Sequence, residues 1–333
     1  MPAVPIPRVL ACVLALMVLA PAPHAATVQN LYEGVVTLAD RSERGQAEAF
    51  RDAMRQVLVR ITGRRDAAED PALTALVEDA RRYVQQFRVA GNQFIAGFDG
   101  ARVERAVMDA GRPLWGHQRP ATLVLLVSGE GAGRTLLVDT SNADLKQAVL
   151  RGAQLRGVPL VWPDAARPVS AAQASTPAPA DLRAIGQLYR ADAVLAGVAQ
   201  SASPGSPVRW TLVQGEESTQ WRGSAEDGPQ GAADWFARVF AADVAGDGAL
   251  VAITVSGIQD LRAYAAVTDY LQSLTLVRAL SVEEVAGDNV VYRVQVQGGG
   301  ERLARAISLG GRLEPTGDPG EPSLAAQTYR YRP

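Results

Sequence analysis

The feature that most constrains the fold of this 333-residue chain is an apolar run that extends from Arg119 to Val127. Pro120 stands near its start, and the glycine-rich segment Ser128–Gly133 follows it directly. A short apolar run between turn-forming residues is typical of a strand that is buried on both faces. We therefore expect a central strand of an α/β unit here, with regions of different pattern on either side.

The first 26 residues have the pattern of a secretory signal peptide. Arg8 supplies a positive charge, Val9–Ala20 is continuously apolar, and Pro21–Ala26 adds helix breakers and small residues. The apolar part is too short to span a bilayer as a helix. We predict cleavage after Ala25 or Ala26 and a soluble periplasmic protein without a transmembrane segment in the mature chain.

Two alternatives for this leader are a retained N-terminal anchor and a lipoprotein signal at Cys12. Almost no apolar segment precedes Cys12, which argues against lipidation. Cys12 is the one cysteine of the sequence, so cleavage would leave a mature chain without thiols or disulfides. We expect its stability in an oxidising compartment to come from packed cores.

The length suggests roughly two or three domains of about 100–150 residues each. In the first, residues 27–113, the pattern predicts a strand at Tyr32–Leu38 and an amphipathic helix that ends at Gly63. A second helix should begin at Asp70, with a buried stripe that reaches Phe87, and a shorter helix should cover Asp99–Ala110. This order indicates an α+β domain.

The middle domain, residues 119–245, alternates strands and helices, which predicts a three-layer α/β unit with a largely parallel sheet. Arg167–Pro179 is rich in Ala, Ser and Pro and should be an exposed loop. A hairpin is expected to pair Trp210 with Trp221.

The last domain, residues 249–315, has the order β-α-β-β-α of a ferredoxin-like unit. Residues 316–333 form a tail that we expect to be weakly ordered, with Thr328–Tyr331 able to add an edge strand. The predicted fold class is therefore α/β and α+β in three consecutive small domains.

Several classes of function lack the residues that they need. The charges balance to a net −2 without a long like-charged block, so we expect no nucleic-acid partner. His117 is the one histidine beyond the leader, and no Gly-x-Ser-x-Gly turn is present. Gly129, Gly131 and Gly133 lack the third glycine of the dinucleotide fingerprint, because Arg134 occupies that position. We predict no catalytic residues, no cofactor and no metal site.

The densest cluster of aromatic and cationic residues lies between the first two domains. Arg112, Trp115, His117 and Arg119 are of types that are enriched at binding hot spots, so they define a candidate interaction surface. The alternative, which we favour for Trp115, is a side chain packed in the seam between the domains.

Several segments together resemble an uncharacterised proteobacterial exported family, a domain of unknown function (number 2066). The resemblance rests on these segments: Tyr32-Glu-Gly-Val-Val, Arg60-Ile-Thr-Gly63, Tyr83-Val-Gln-Gln-Phe, Arg119-Pro-Ala and Arg156-Gly-Val-Pro-Leu-Val-Trp-Pro163. The domain order is more distantly similar to that of periplasmic flagellar ring-assembly proteins, and the middle domain to the N-terminal domain of the Tol-system propeller protein. These likenesses imply a role in envelope assembly and provide no catalytic residues to transfer.

Three hypotheses follow. The first is a non-enzymatic periplasmic protein that mediates protein–protein interaction or envelope assembly with an envelope protein partner. The second is a hydrolase or transferase with a site between the first two domains, which would use an Asp or Glu with His117. The third is a small-ligand binding module at the strand-exit loop Ser128–Gly133.

Overall fold

The computed structural model describes residues 26–27, 30–138, 144–175, 178–203, 205–240, 249–274, 276–316 and 326–332. The predicted leader lies outside these residues except for Ala26, so its cleavage is not tested by the fold. The described chain is a mixed α and β structure with three larger sheets that follow one another along the sequence, each packed against its own helices.

The N-terminal part contains a three-stranded antiparallel sheet in the order β2-β4-β3. Its elements are β1 (Ala26–Thr27), β2 (Glu33–Thr37), α1 (Glu43–Thr62), α2 (Thr74–Glu78), β3 (Val84–Ala90), β4 (Gln93–Phe98) and α3 (Gly100–Asp109). Ser42 caps α1 by accepting a hydrogen bond from the Gly45 N–H, and Gly63 ends it in the left-handed conformation, as predicted. The apolar stripe of α1 packs on the sheet.

The predicted helix from Asp70 to Phe87 is wrong beyond its first turns. Short 3₁₀ helices at Pro71–Leu73 and Ala80–Tyr83 flank α2, and Val84 already belongs to strand β3. Leu73, Leu76 and Val77 are buried as expected, but Phe87 is 50% exposed. Apolar spacing in so short a segment fits a broken helix followed by a strand as well as one continuous helix.

The central sheet has six strands in the order β11-β10-β9-β6-β7, with β8 also paired to β6. It is preceded by β5 (Gln118–Arg119), which pairs with β1 in a separate two-stranded sheet. The strands and helices of this part are β6 (Thr122–Ser128), β7 (Thr135–Leu136), α4 (Asp144–Arg156), β8 (Leu160–Val161), α5 (Ala171–Ala174), α6 (Pro179–Leu188), β9 (Ala193–Ala199), β10 (Val208–Gln214), β11 (Glu217–Gly223) and α7 (Asp227–Phe240). Every residue of β6 is buried, which confirms it as the central strand.

Helices cover both faces of this sheet, as the three-layer prediction required. One face packs on α4 and α7 and the other on α5 and α6. The sheet is mixed and not largely parallel, because only β6, β8 and β9 run parallel to one another. The short turn after β10 can join only antiparallel strands, and it places Trp210 directly opposite Trp221.

The segment Arg167–Pro179, expected as a loop, includes the helical turn α5. Ser170 and Gln173 form a reciprocal capping box at its start. Ala174 of this turn is fully buried against the α5/α6 face of the sheet. A composition rich in Ala, Ser and Pro is typical of an exposed loop, but the small apolar side chain of Ala174 can also be buried in a tight helical turn.

The C-terminal sheet has the order β13-β14-β12-β16-β15. Its elements are β12 (Ala249–Ser256), α8 (Leu261–Ser273), β13 (Val277–Ala286), β14 (Asn289–Val296), α9 (Gly300–Gly310), β15 (Leu313–Pro315) and β16 (Ala326–Tyr331). The predicted β-α-β-β-α order is present and β16 extends it, because β16 pairs in parallel with β12. The end of the predicted tail is thus an inner strand of the sheet and not an edge strand, and Tyr329 is 4% exposed.

Candidate functional site

The linker between the N-terminal and central sheets carries the four residues of the predicted interaction surface. Trp115 and Arg119 are 1% and 0% exposed, whereas the side chains of Arg112 and His117 are 34% and 45% exposed. Trp115 packs near Phe236 of α7, and its backbone N–H donates to the Ile61 carbonyl at 2.6 Å. The four residues therefore do not form one exposed surface, and Trp115 occupies the seam.

Arg119 joins the two sides of this seam through backbone carbonyl groups. Its guanidinium group lies 3.7 Å from the ring centre of Trp115. The group donates to five carbonyl oxygens, those of Gly116, Arg156, Gly157, Arg60 and Trp115, at 2.7 to 3.4 Å. No carboxylate among the described residues pairs with it, so its charge is stabilised by backbone dipoles and by the face of the Trp115 ring.

The position of these carbonyls explains why a charge without a counter-ion is stable there. The last turns of α1 and α4 end at Gly63 and Gly157, and their final carbonyl groups have no partner within the helix. The negative ends of both helix dipoles thus face Arg119. Burial lowers the pKa of Arg119 well below its ordinary value, and the neighbouring Arg60 and Arg156 guanidinium groups lower it further.

Arg156 and Asp234 form the second link across the seam. Arg156 is 1% exposed and donates to the Gly63 carbonyl at 2.6 Å and to the Asp234 carboxylate at 2.8 Å. Asp234 also accepts from Arg65, at 2.7 Å. Gly63 and Arg65 belong to the N-terminal part, and Arg156 and Asp234 to the central one. The two parts are therefore held together by buried or half-buried polar contacts.

Arg112 is used within the N-terminal part. Its guanidinium group makes a two-point contact with the Asp70 carboxylate, at 2.6 and 2.8 Å. Asp70 also caps the following turn by accepting from the Ala72 N–H. The Arg112 hydrogen bonds lower the pKa of Asp70 to about 2, so this carboxylate stays ionised. Arg112 thus holds a turn of the fold in place.

His117 belongs to a polar trio with Tyr32 and Glu104. The Tyr32 hydroxyl donates to the Glu104 carboxylate at 2.5 Å and lies 2.9 Å from Nε2 of His117. Because the single hydroxyl proton is used on Glu104, the contact with His117 requires Nε2 to be the donor. Burial and the Glu104 charge raise the pKa of Tyr32, so its hydroxyl keeps its proton and cannot serve as a base.

Sequence reasoning missed Tyr32 and Glu104. Tyr32 lies in the turn before β2 and Glu104 in α3, 85 and 13 positions from His117 and 72 from each other, so no local spacing relates them. Two clefts at the seam, of about 570 and 580 Å³, are lined by other residues. The trio therefore does not open into either of these two clefts.

The two edges of the N-terminal sheet differ in how their backbone groups are used. At the β2 edge the Gln56 side chain donates to the Val35 carbonyl at 2.9 Å and accepts from the Val35 N–H at 3.1 Å. The Arg60 guanidinium group donates further hydrogen bonds to backbone carbonyl groups just before and within β2. At the β3 edge, no described residue bonds to the outward backbone groups of Val84–Ala90.

The open edge of β3 also exposes apolar side chains. Phe87 and Val89 are 50% and 42% exposed, although Phe87 contacts the rings of Phe50 and Phe94. An unpaired strand edge with apolar residues is a template for pairing with another strand unless it is covered or charged. Strand β3 is thus the feature of the N-terminal part best suited to contact another protein.

Comparison with known proteins gives one result for this part of the chain. Residues 25–116 match a family model described as Domain of unknown function (DUF8605). No curated protein and no solved structure matches the chain. The match confirms an uncharacterised domain at the N-terminus and provides no activity to transfer.

The DUF8605 segment includes all of β3 and two members of the polar trio, Tyr32 and Glu104. It ends just before His117, so the trio straddles its limit, and Arg119, Arg156 and Asp234 lie beyond it. Among the residues that the structure describes, no three His, Cys, Asp or Glu side chains come close enough to hold a metal ion. In the same residues, every helix is too short or too polar to cross a bilayer.

Proposed function

We propose that this chain is an exported, non-enzymatic protein that binds a partner protein of the cell envelope through the open edge of β3. The observation that carries the proposal is the difference between the two edges of the N-terminal sheet. Gln56 bonds to the outward backbone groups of Val35 in β2, whereas the outward backbone groups of β3 have no partner among the described residues.

The partner that fits this edge is an extended segment of another protein. Such a segment would add a strand beside β3, where main-chain hydrogen bonds give affinity and alternate side chains give specificity. Phe87 and Val89 point to the same side of β3, so apolar residues at alternate positions of the partner would cover them. The contacts of Phe87 with Phe50 and Phe94 hold its ring in place before binding.

Two further features support an interaction role over a catalytic one. Arg112, Trp115 and Arg119 are used in fixed structural contacts, and Tyr32 retains its proton. The export part of the proposal rests on the leader pattern of residues 1–26 and on the start of the family match at residue 25. N-terminal sequencing of the protein from fractionated cells should find Ala26 or Thr27 as its first residue.

The binding part is tested by two matched substitutions. Val89→Lys places a charge on the open edge, whereas Val35→Lys places the same charge on the covered edge, at a residue of similar exposure, 40% against 42%. The leaderless chain and both variants are immobilised, and proteins retained from envelope extracts are quantified by mass spectrometry. We expect at least one envelope protein to be retained by the unsubstituted chain and by Val35→Lys. The same protein should not be retained by Val89→Lys.

Equal retention by both variants would contradict the proposal, and so would retention of nothing by the unsubstituted chain. Circular dichroism and melting temperature establish that both variants are folded. Sedimentation of the purified chain tests a second copy as the occupant. A concentration-dependent dimer that Val89→Lys abolishes would replace the envelope partner with self-association.

A further inference from the structure

The carboxyl ends of β6 and β9 meet at a point where the direction of strand addition reverses. The chain passes from β6 through α4 to β8 on one side, and then through α5 and α6 to β9 on the other side of β6. The two crossovers cover opposite faces of the sheet. Open α/β sheets bind ligands in the crevice beyond the strand ends at such a switch point.

A cleft of about 450 Å³ lies at this point. Gly129 follows β6 directly, and its N–H donates to the Ala199 carbonyl at the end of β9, at 3.1 Å. Gly129 has a φ of 99°, and a Cβ there would lie 2.9 Å from the Gly133 carbonyl oxygen. The loop after β6 can therefore close against the end of β9 only with glycine at this position.

The charges that line this cleft are unbalanced. Arg134, Arg209 and Arg222 face it together with a single carboxylate, that of Glu130. Arg209 and Arg222 stand directly opposite each other on β10 and β11, an arrangement that destabilises a sheet when both residues carry the same charge. Within the described chain, the guanidinium groups of these three arginines have no hydrogen-bond or ion-pair partner.

We infer that Arg134, Arg209 and Arg222 form a binding site for a phosphate group at the switch point between β6 and β9. An oxyanion between the guanidinium groups would offset the repulsion of the Arg209–Arg222 pair. Its oxygen atoms would also accept paired hydrogen bonds from the guanidinium N–H groups. The site is separate from the β3 edge and does not depend on the proposed partner binding. Its ligand is either a small phosphate compound or a phospholipid headgroup.

The test uses the leaderless full chain, Arg222→Gln and the control Arg278→Gln, which removes an exposed arginine from strand β13. The melting temperature is measured with inorganic phosphate against sodium chloride of equal ionic strength. We expect phosphate to raise it for the unsubstituted chain and for Arg278→Gln, and the affinity of Arg222→Gln to fall at least about tenfold. Without phosphate, Arg222→Gln should be no less stable than the unsubstituted chain.

A second arm measures cosedimentation with phosphatidylglycerol vesicles. Vesicle binding that needs Arg222, without a shift by inorganic phosphate, assigns the site to a lipid headgroup. A shift by inorganic phosphate that needs Arg222, without vesicle binding, assigns it to a small compound. Binding in neither arm, or binding that Arg222→Gln leaves unchanged in both, overturns the proposal.

Discussion

A guanidinium group has five N–H donors in one plane, and at Arg119 five backbone carbonyl groups receive them. A lysine could reach at most three acceptors and would carry a more strongly hydrated charge into the seam. Lys146 is the one lysine of the chain, against 33 basic residues in total. For Arg119, at least, the structure gives a physical reason for arginine that composition alone does not.

Asp192 presents the opposite case of a half-buried acid without a cation. Its carboxylate accepts from the Ala121 N–H at 2.8 Å, and its own N–H donates to the Ala121 carbonyl at 2.9 Å. No described residue forms an ion pair with it. Burial raises the pKa of Asp192 to about 6, although the Ala121 hydrogen bond opposes the shift. Protonation of the Asp192 carboxylate therefore stabilises the turn before β9.

We predict that Asp192→Asn stabilises the protein at neutral pH and not at acidic pH. Between the unfolded pKa of 3.8 and the folded pKa of about 6, the folded state binds more protons. Stability should therefore fall as the pH rises through this window and then stay level. Asparagine keeps the acceptor for Ala121 without the charge, so we expect a gain of about 1–2 kcal/mol above the window.

Urea unfolding at about pH 4, near the lower end of the predicted window, and at about pH 7.5, above it, measures this effect. Asp269→Asn serves as the control, because Asp269 is an exposed residue of α8 without a described partner. The idea fails if Asp192→Asn has the same effect at both pH values, or an effect no larger than that of the control.

At the scale of elements, the sequence was informative wherever the decisive contacts are local. The stripe of α1 and its end at Gly63, the buried run of β6 and the Trp210–Trp221 hairpin were all predicted. Each depends on residues a few positions apart, or on a turn too short for any other connection. The broken helix around α2 is the exception, because its apolar spacing fits two structures.

Elements and contacts that depend on distant partners were not predictable in this way. Strand β16 is polar at alternate positions and follows many turn-forming residues, and only its pairing with β12 identifies it as an inner strand. The trio of Tyr32, Glu104 and His117 likewise forms only after the turn before β2, helix α3 and the linker come together. Arg119 was identified as a candidate, but its complete burial depends on two helix ends that the sequence does not bring together.

We predict that Tyr329→Ala destabilises the C-terminal sheet by about 3 kcal/mol, as loss of a buried aromatic ring does elsewhere. Tyr329 is 4% exposed in the core beneath α8 and α9, and its hydroxyl donates to Gln327 at 2.6 Å. Thr328→Ala, at the exposed neighbouring position, should change stability little. Urea unfolding followed by circular dichroism compares the two, and equal losses would show that β16 is not an inner strand.

At the scale of the molecule, the seam determines whether the N-terminal and central sheets move as one body. Trp115 contributes apolar packing against Phe236, and Arg119 contributes hydrogen bonds to helix ends on both sides. The link through Asp234 differs because it depends on charge. Interfaces within a chain allow relative motion by default unless they are large and apolar. Loss of the Asp234 charge should therefore loosen the seam without disturbing either core.

We predict that Asp234→Asn costs about 1–3 kcal/mol and broadens the distance distribution between the two parts. Arg156 is buried and has Asp234 as its one described carboxylate, so the substitution leaves its charge without a counter-ion. Because Cys12 is the one cysteine, a leaderless chain with Asp109→Cys and Gln187→Cys accepts two spin labels at exposed sites. Asp269→Asn, in the same labelled chain, is the matched control. The prediction is wrong if Asp234→Asn and that control have equally narrow distance distributions and equal stability. Trp115 and Arg119 would then hold the seam without this ion pair.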